Sequence, residues 1–436
     1  MSEGELFMKR IIKLTFMFML LCFLSFGLLA CGDNDVINSS RTHSLNNVSY
    51  QGERYYQFSD EDYYKSLQKA SLKLYDILTV DEELDNYVVS PLSIYMALAL
   101  LDYIGDDTMK EEISTLLDMS ESDILKAGEL FKHLEIDRGS YKISLTNSIW
   151  FDDRDGTLKY NQDVLDNIAN DLYCYAHETK FKSNNKGANK DIREFIKKHT
   201  NGLIDQDFDI SEETLFALIN TLYFKDNWFD EGDELDSKED LFNKGLRELM
   251  VTYLYGKYVG GRVYTNDLSN SFYTTTCRGH KLYFILPNEG KTLKDVMTQS
   301  NLLNVLNAKI DYTEEEDDKI ILHQTRTIFP MFNVDSSTDV KRKLENKYLS
   351  HAFSSYQSEI IDLPLYVSGI KHKAVLKVDK KGIEGAAVTI IMNEAASDAP
   401  METVYHDFVV DKSFGYVLTT SEGVILFMGE INNPKK

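Results

Sequence analysis

The chain has 436 residues, of which 43% are hydrophobic and 12% aromatic, enough to bury a large core. Only 6 prolines and 23 glycines occur, which excludes a fibrous or low-complexity protein. The net charge of −23, from 47 basic and 70 acidic residues, argues against a nucleic-acid partner and for a well-solvated surface.

Lys9, Arg10 and Lys13 precede an almost wholly apolar run from Leu14 to Leu29, and the chain turns polar at Asp33-Asn34-Asp35. A basic start, an apolar centre and small residues before a cut site make a secretory signal. The closing Leu28-Leu29-Ala30-Cys31-Gly32 resembles the lipobox of bacterial lipoproteins. That resemblance implies a signal over 1–30 and a lipid on Cys31, with the protein held on the membrane at the cell surface. An uncleaved anchor, or a cut elsewhere, is the alternative, and Met8 is a second candidate start. Several acyl chains supply enough buried CH₂ for stable anchoring. Residues 31–58, rich in Asn, Ser and charge, read as a flexible tether, leaving 59–436 as the folded domain.

Ser59 opens a helical stretch, with Tyr63, Leu67, Ala70, Leu74 and Ile77 on one face. Tyr87-Val88-Val89 is a short strand. Ser90 can cap the next helix, and Pro91 suits its first turn, where no N–H is needed. Lys142 to Phe151 alternates as a strand, and Asp191 to Lys198 looks helical. Thr214 to Phe224 is apolar enough for a strand buried on both faces. Lys281 to Leu286 is a strand stopped by Pro287. The acidic run Glu314-Glu315-Glu316-Asp317-Asp318 reads as a surface loop. Ile320 to Val334 alternates, Asp339 to Tyr348 is helical, and Leu365 to Val378 returns to β. Phe414 to Thr420 and Val424 to Glu430 flank a hairpin turn at Ser421-Glu422-Gly423. Between Val378 and Val409 small residues dominate without period, and a long structureless segment in a compact domain is usually functional. Helices first and strands later, with no repeat and no linker after the tether, favour one α+β domain.

Cys174 and Cys277 remain once Cys22 leaves with the signal and Cys31 is lipidated. Single buried thiols are the better reading, although the two could pair. The 9 histidines show no metal spacing, and no GxSxG, Walker or GxGxxG motif occurs. No enzyme activity, cofactor or metal is expected.

Five stretches then resemble the serpin family, in family order. Asn86-Tyr87-Val88-Val89-Ser90-Pro91-Leu92-Ser93-Ile94 is similar to the opening of its second helix, and Asn220 to Trp228 to its "NAIYFKGxW" strand. His372-Lys373-Ala374-Val375 resembles the strand that leads to the hinge, and Lys380 to Thr389 the hinge. Phe427 to Pro434 resembles the closing "FxGxVxxP". Leu145-Thr146-Asn147-Ser148, Thr200 to Ile204 and Leu286-Pro287 are weaker echoes. The resemblance implies a helical bundle around three β-sheets with an exposed reactive-centre loop. It also implies a monomeric suicide inhibitor that a serine protease cuts, forming a covalent acyl complex, before the loop inserts into the large sheet.

The residues permit that insertion. Residues 382–396 hold no proline, and Ile383, Gly385, Ala387 and Thr389 would point inward while Glu384, Ala386 and Val388 point outward. The family usually has Thr or Ser at Ile383, Ala at Gly385 and an acid at Lys380; a non-inhibitory binding or decoy module is therefore the alternative. Family spacing from Gly382 places the cut between Ala396 and Ser397, which suits the small apolar pocket of an elastase-like or subtilisin-like protease, or a cysteine protease. The segment is several residues longer than usual, so Met392 or Met401 could be the bait. Ser90, Ser93, Asn220 and His372 resemble the family's hydrogen-bonded shutter, and Trp228 the residue at the head of the sheet where insertion begins. Each also has an ordinary reading as a cap, a strand polar group or plain core.

Overall fold

A computed structural model describes residues 42–49, 56–80, 85–229, 233–243, 248–309, 311–316, 319–384 and 401–435. The first helix, Glu61–Thr79, starts where the Asp60 carboxylate accepts from the Tyr63 amide. Ser90 does the same for helix Pro91–Ile104 by accepting from Ser93, and Pro91 takes the first turn. That helix is buried nearly all round, because it lies beneath one sheet and against another.

Among the described residues, three sheets carry the fold. The largest has the order His43–Ser44, Cys174–Thr179, Lys142–Asp152, Phe216–Asn227, Gly382–Glu384, Lys371–Val378, Phe332–Asp339, with Ile136–Asp137 added on Lys142–Asp152. The second runs Tyr87–Val89, Ile425–Ile431, Phe414–Thr419, Lys281–Pro287, Ser269–Thr275, Tyr264–Thr265. The third joins Thr313–Glu316, Lys319–Pro330, Leu249–Gly260 and Ser237–Phe242, and Met401–Val409 lies parallel to Lys319–Pro330. Strand alternation splits the large sheet's central strands between two helices. Phe195 of helix Asn185–His199 meets Trp150 on one face. On the other face Ser93 of helix Pro91–Ile104 meets Asn220. Phe216–Asn227 is therefore covered on both sides, as its apolar run predicts.

Four expectations change. Ile320 to Val334 is two strands in different sheets, broken at Met331 after Pro330. The helix after Asp339 spans only Val340–Leu344, since Asn346 turns left-handed at φ 66°. The acidic run begins in an edge strand, Thr313–Glu316, whose charges suit an edge exposed to water. The segment read as structureless up to Val409 contributes Gly382–Glu384 and the whole of Met401–Val409 as strands. Cys174 and Cys277 are both buried and free.

Part of the stretch read as tether is docked. His43–Ser44 extends the edge of the large sheet antiparallel to Cys174–Thr179. The Asn46 amide donates to the carbonyls of Leu165 (2.9 Å) and Cys174 (3.0 Å), and its oxygen accepts from the Ala176 amide at 3.0 Å. Thr42, buried, donates to Asp191 of helix Asn185–His199 at 2.6 Å.

Candidate functional site at the parting line of the large sheet

Two strands of the large sheet, Phe216–Asn227 and Lys371–Val378, face each other along a line that is open at one end and closed at the other. At the closed end Leu218 and Ile370, both buried, bridge directly. At the open end Gly382–Glu384 stands between them: Gly382 pairs with Asn227, and Ile383 pairs with both Asp226 and Val378. Ile383 is fully buried. Gly382 has to be glycine here, because a Cβ would lie 2.1 Å from the Asp226 carbonyl oxygen.

The head of the line is built around Trp228, which is also fully buried. Its indole N–H donates to the Asp379 carbonyl at 2.7 Å, and its amide donates to the Lys381 carbonyl at 2.9 Å. The Leu235 amide donates to the Lys380 carbonyl at 2.8 Å. Asp379 accepts from the amides of Lys381 (2.8 Å) and Gly382 (3.3 Å) and pairs with Lys377 at 2.8 Å. Burial raises the Asp379 carboxyl, but these donors, led by Lys377, offset it and leave the group below the ordinary carboxylate value. The backbone of Lys380 is thus fixed, although an acid is usual there in the resembled family.

Asp226, opposite Ile383, occupies the glycine position of "NAIYFKGxW". It is buried, and burial pushes its carboxyl up to about 9 against the pull of Thr276 and the Asn227 amide. It therefore keeps its proton at neutral pH.

Halfway down, a polar chain crosses beneath the sheet. The Ser90 amide donates to His372 Nε2 at 3.1 Å, which puts the ring proton on Nδ1. The Ser93 amide donates to Ser90 Oγ at 3.2 Å. Ser93 Oγ donates to Asn220 Oδ1, Asn220 Nδ2 donates to Asn147 Oδ1, and Asn147 Nδ2 donates to the Leu172 carbonyl at 2.8 Å. Burial lowers His372 to about 4, so it is neutral in this chain. Asn220 and His372 lie on the two strands that flank the line, and Ser90 and Ser93 tie both to one helix. Such a network has partners to exchange when the strands separate.

The structure thus brings together Ser90, Ser93, Asn220 and His372, and separately Trp228, Gly382, Ile383 and Glu384. Gly385, Ala386, Ala387, Val388, Thr389, Met392, Ala396, Ser397 and Cys31 lie outside the described residues. Met401 pairs with Ile320 at the start of a strand, so it belongs to the sheet rather than to the loop. Asn147 and Asp226 are additions. Asn147 sits in the weak Leu145–Ser148 echo, and its register opposite Asn220 is what gives it a role.

A family model described as serpin (serine protease inhibitor) matches residues 65–434. An alpha-1-antitrypsin-like protein, GS55-MS, from Ictidomys tridecemlineatus is 28% identical over 389 residues, covering 85% of this chain and 88% of its own. A serine protease inhibitor from Cyanea capillata is 27% identical over 384 residues, covering 84% and 97%. Among solved structures, the thermophilic serpin tengpin in its native state superposes with a TM-score of 0.68 at 21% identity, over 87% of this chain and 96% of that one. Thyroxine-binding globulin in complex with thyroxine superposes with a TM-score of 0.67 at 21% identity, over 86% and 99%. The parting line, its polar chain and these matches agree, and the chain belongs to the serpin family of serine protease inhibitors.

Proposed function

We propose that this chain is an irreversible, suicide-type inhibitor of serine proteases that captures them by adding its own cut loop to the large sheet. The strand Gly382–Glu384 carries this reading, because it already occupies the first rungs of the ladder a longer insert would use. Strand addition of this kind is the known mode of serpin loop insertion. Each residue after Ile383 pairs with one residue earlier on both flanks. Gly385 then meets Phe224 and Leu376, and Thr389 meets Asn220 and His372, so a hydroxyl arrives between the two polar groups the parting would expose. The Phe216 end of the flank is reached at Asn393, which makes an insert of about 40 Å at about 3.3 Å per residue. Ala396 follows three residues later, which supports Ala396-Ser397 as the bond cut.

In this mechanism the protease serine Oγ attacks the Ala396 carbonyl carbon. The C–N bond to Ser397 breaks, the new amine leaves on Ser397, and an ester joins Ala396 to the protease. Insertion then carries the ester-linked protease along the sheet before water can hydrolyse it. The small Ala396 suits elastase-like and subtilisin-like pockets, and a cysteine protease thiolate can attack in the same way. The N-terminal motif supports anchoring at the cell surface through lipid on Cys31.

Mixing the full chain with such proteases should give an adduct that survives SDS and boiling, with a released fragment beginning at Ser397. Thr389→Arg places a charge on the inward row. It should leave cutting intact and reduce the adduct at least about tenfold, since an unpaired buried charge costs several kcal/mol. Cutting without adduct across a broad panel would sink the proposal. A non-inhibitory module is favoured by Gly385, which loosens the insert. An unchanged melting temperature after loop cleavage would select it.

A further inference from the structure

We infer that His323 and His406 form a binding site for a divalent transition-metal ion, which pins the strand Met401–Val409 to its neighbour Lys319–Pro330. The two strands run parallel, and His323 pairs with Val404. His406 stands two residues further along the same row, which makes it the diagonal neighbour of His323. His323 Nδ1 and His406 Nε2 face each other at 3.0 Å, with the ring centres 5.3 Å apart. His323 is buried, and His406 is half-buried.

Two neutral imidazoles set head to head share one proton, and the far nitrogen of His323 decides which ring supplies it. His323 Nε2 is buried without a hydrogen-bond partner, 3.5 Å from Oε2 of Glu314 on the strand Thr313–Glu316. A neutral ring facing a carboxylate keeps its proton on the facing nitrogen. Nδ1 of His323 is then a bare lone pair, and it accepts from His406 Nε2. Arg262 Nη2 donates to the same Glu314 oxygen and fixes the carboxylate. A carboxylate behind an imidazole whose other nitrogen offers a lone pair is the arrangement that orients histidine on a metal.

The ion takes the place of the shared proton, and His406 then carries its own proton on Nδ1. Metal–nitrogen bonds of about 2.05 Å across the 3.0 Å separation enclose an angle of about 94°. That is the angle between adjacent ligands of a square-planar or octahedral ion. About 0.3 Å more separation gives the tetrahedral angle that zinc takes. Among the described residues no group of three or more His, Cys, Asp and Glu is set to hold a metal, so water fills the remaining positions. Two imidazoles and water bind Cu(II) more tightly than Zn(II), and they do not suit Ca²⁺ or Mg²⁺, which take oxygen ligands. The site is independent of the inhibitor reading above.

The test titrates the full chain, His406→Gln and Glu314→Gln with copper(II) chloride, followed by calorimetry and electron paramagnetic resonance. Copper sites elsewhere on the chain are common to all three proteins and cancel in the comparison. Glu314→Gln keeps both ligating nitrogens, so it should weaken binding about 10- to 100-fold while the two-nitrogen spectrum persists. His406→Gln should weaken binding further and lose that spectrum. Copper should also slow amide exchange across Met401–Val409 in the wild type and not in His406→Gln. Melting without metal shows that each variant is folded. Equal affinity and equal spectra for wild type and His406→Gln, or exchange that copper leaves unchanged in the wild type, overturn the proposal.

Discussion

Asp226 is a buried acid at a position where the family motif has glycine, facing Ile383 of the inserted strand. Its folded-state value of about 9 lies far above the ordinary 3.8, so the folded chain holds a proton that the unfolded chain releases. Its contribution to stability is present in acid and is lost as pH rises from about 4 to 9. Asp226→Asn removes that loss. The variant's advantage should be smallest near pH 4 and larger by about 2 kcal/mol or more at pH 8, read from urea midpoints. A constant difference across pH would show that Asp226 does not titrate. Residues at this scale were unevenly legible. Ser90, Ser93, Asn220, His372 and Trp228 fall inside motifs that carry their meaning with them. Asp226 does not, because its proton depends on burial and on Thr276, fifty positions away. Ile383 departs from the Thr or Ser usual in the family, and it is wholly accommodated between Asp226 and Val378.

The edge strand His43–Ser44 is held by side-chain-to-backbone hydrogen bonds more than by apolar burial. Composition and period therefore gave no sign of it. Asn46→Ala removes three hydrogen bonds and strands the Ala176 amide and the Cys174 carbonyl at the sheet edge. The expected cost is about 1–3 kcal/mol, seen as faster hydrogen exchange at Ala176 and a melting temperature lowered by a few degrees. Unchanged exchange would mean that the segment does not hold the edge. Met401–Val409 escaped notice for a different reason. Its inward Val404, His406 and Phe408 alternate properly, but Pro400 precedes it and its outward row mixes Tyr405, Asp407 and Val409. By contrast, Tyr87–Val89, Lys142–Asp152 and the Phe414–Ile431 hairpin matched expectation closely, since each is rich in β-branched and aromatic residues.

Across the whole molecule, two sets of buried groups titrate against each other. Burial holds His177 near 3 and His199, His280 and His372 near 4. Unfolding lets each bind a proton below about 6.5, so their share of stability is complete above that pH and is lost as pH falls toward 4. Burial pushes Asp102 and Glu135 up to about 7, and Asp226 to about 9. Their share is present in acid and is lost as pH rises through those values. The sets nearly cancel between pH 5 and 6, and only the carboxyls act above about 6.5. Stability should peak near pH 6 and fall by about 1.4 kcal/mol per pH unit for each unmatched proton. A urea midpoint that climbs steadily to pH 8 would contradict this.

The docked Thr42 also shortens the leash. With lipid on Cys31, as proposed, eleven steps of chain join the membrane to the body rather than the full stretch to residue 58. Fully stretched, they reach about 40 Å. A domain of this size is itself roughly 50 Å across. Such an inhibitor patrols a layer about 90 Å deep, the leash plus its own width, and the proteases it meets are those that have already come to the cell.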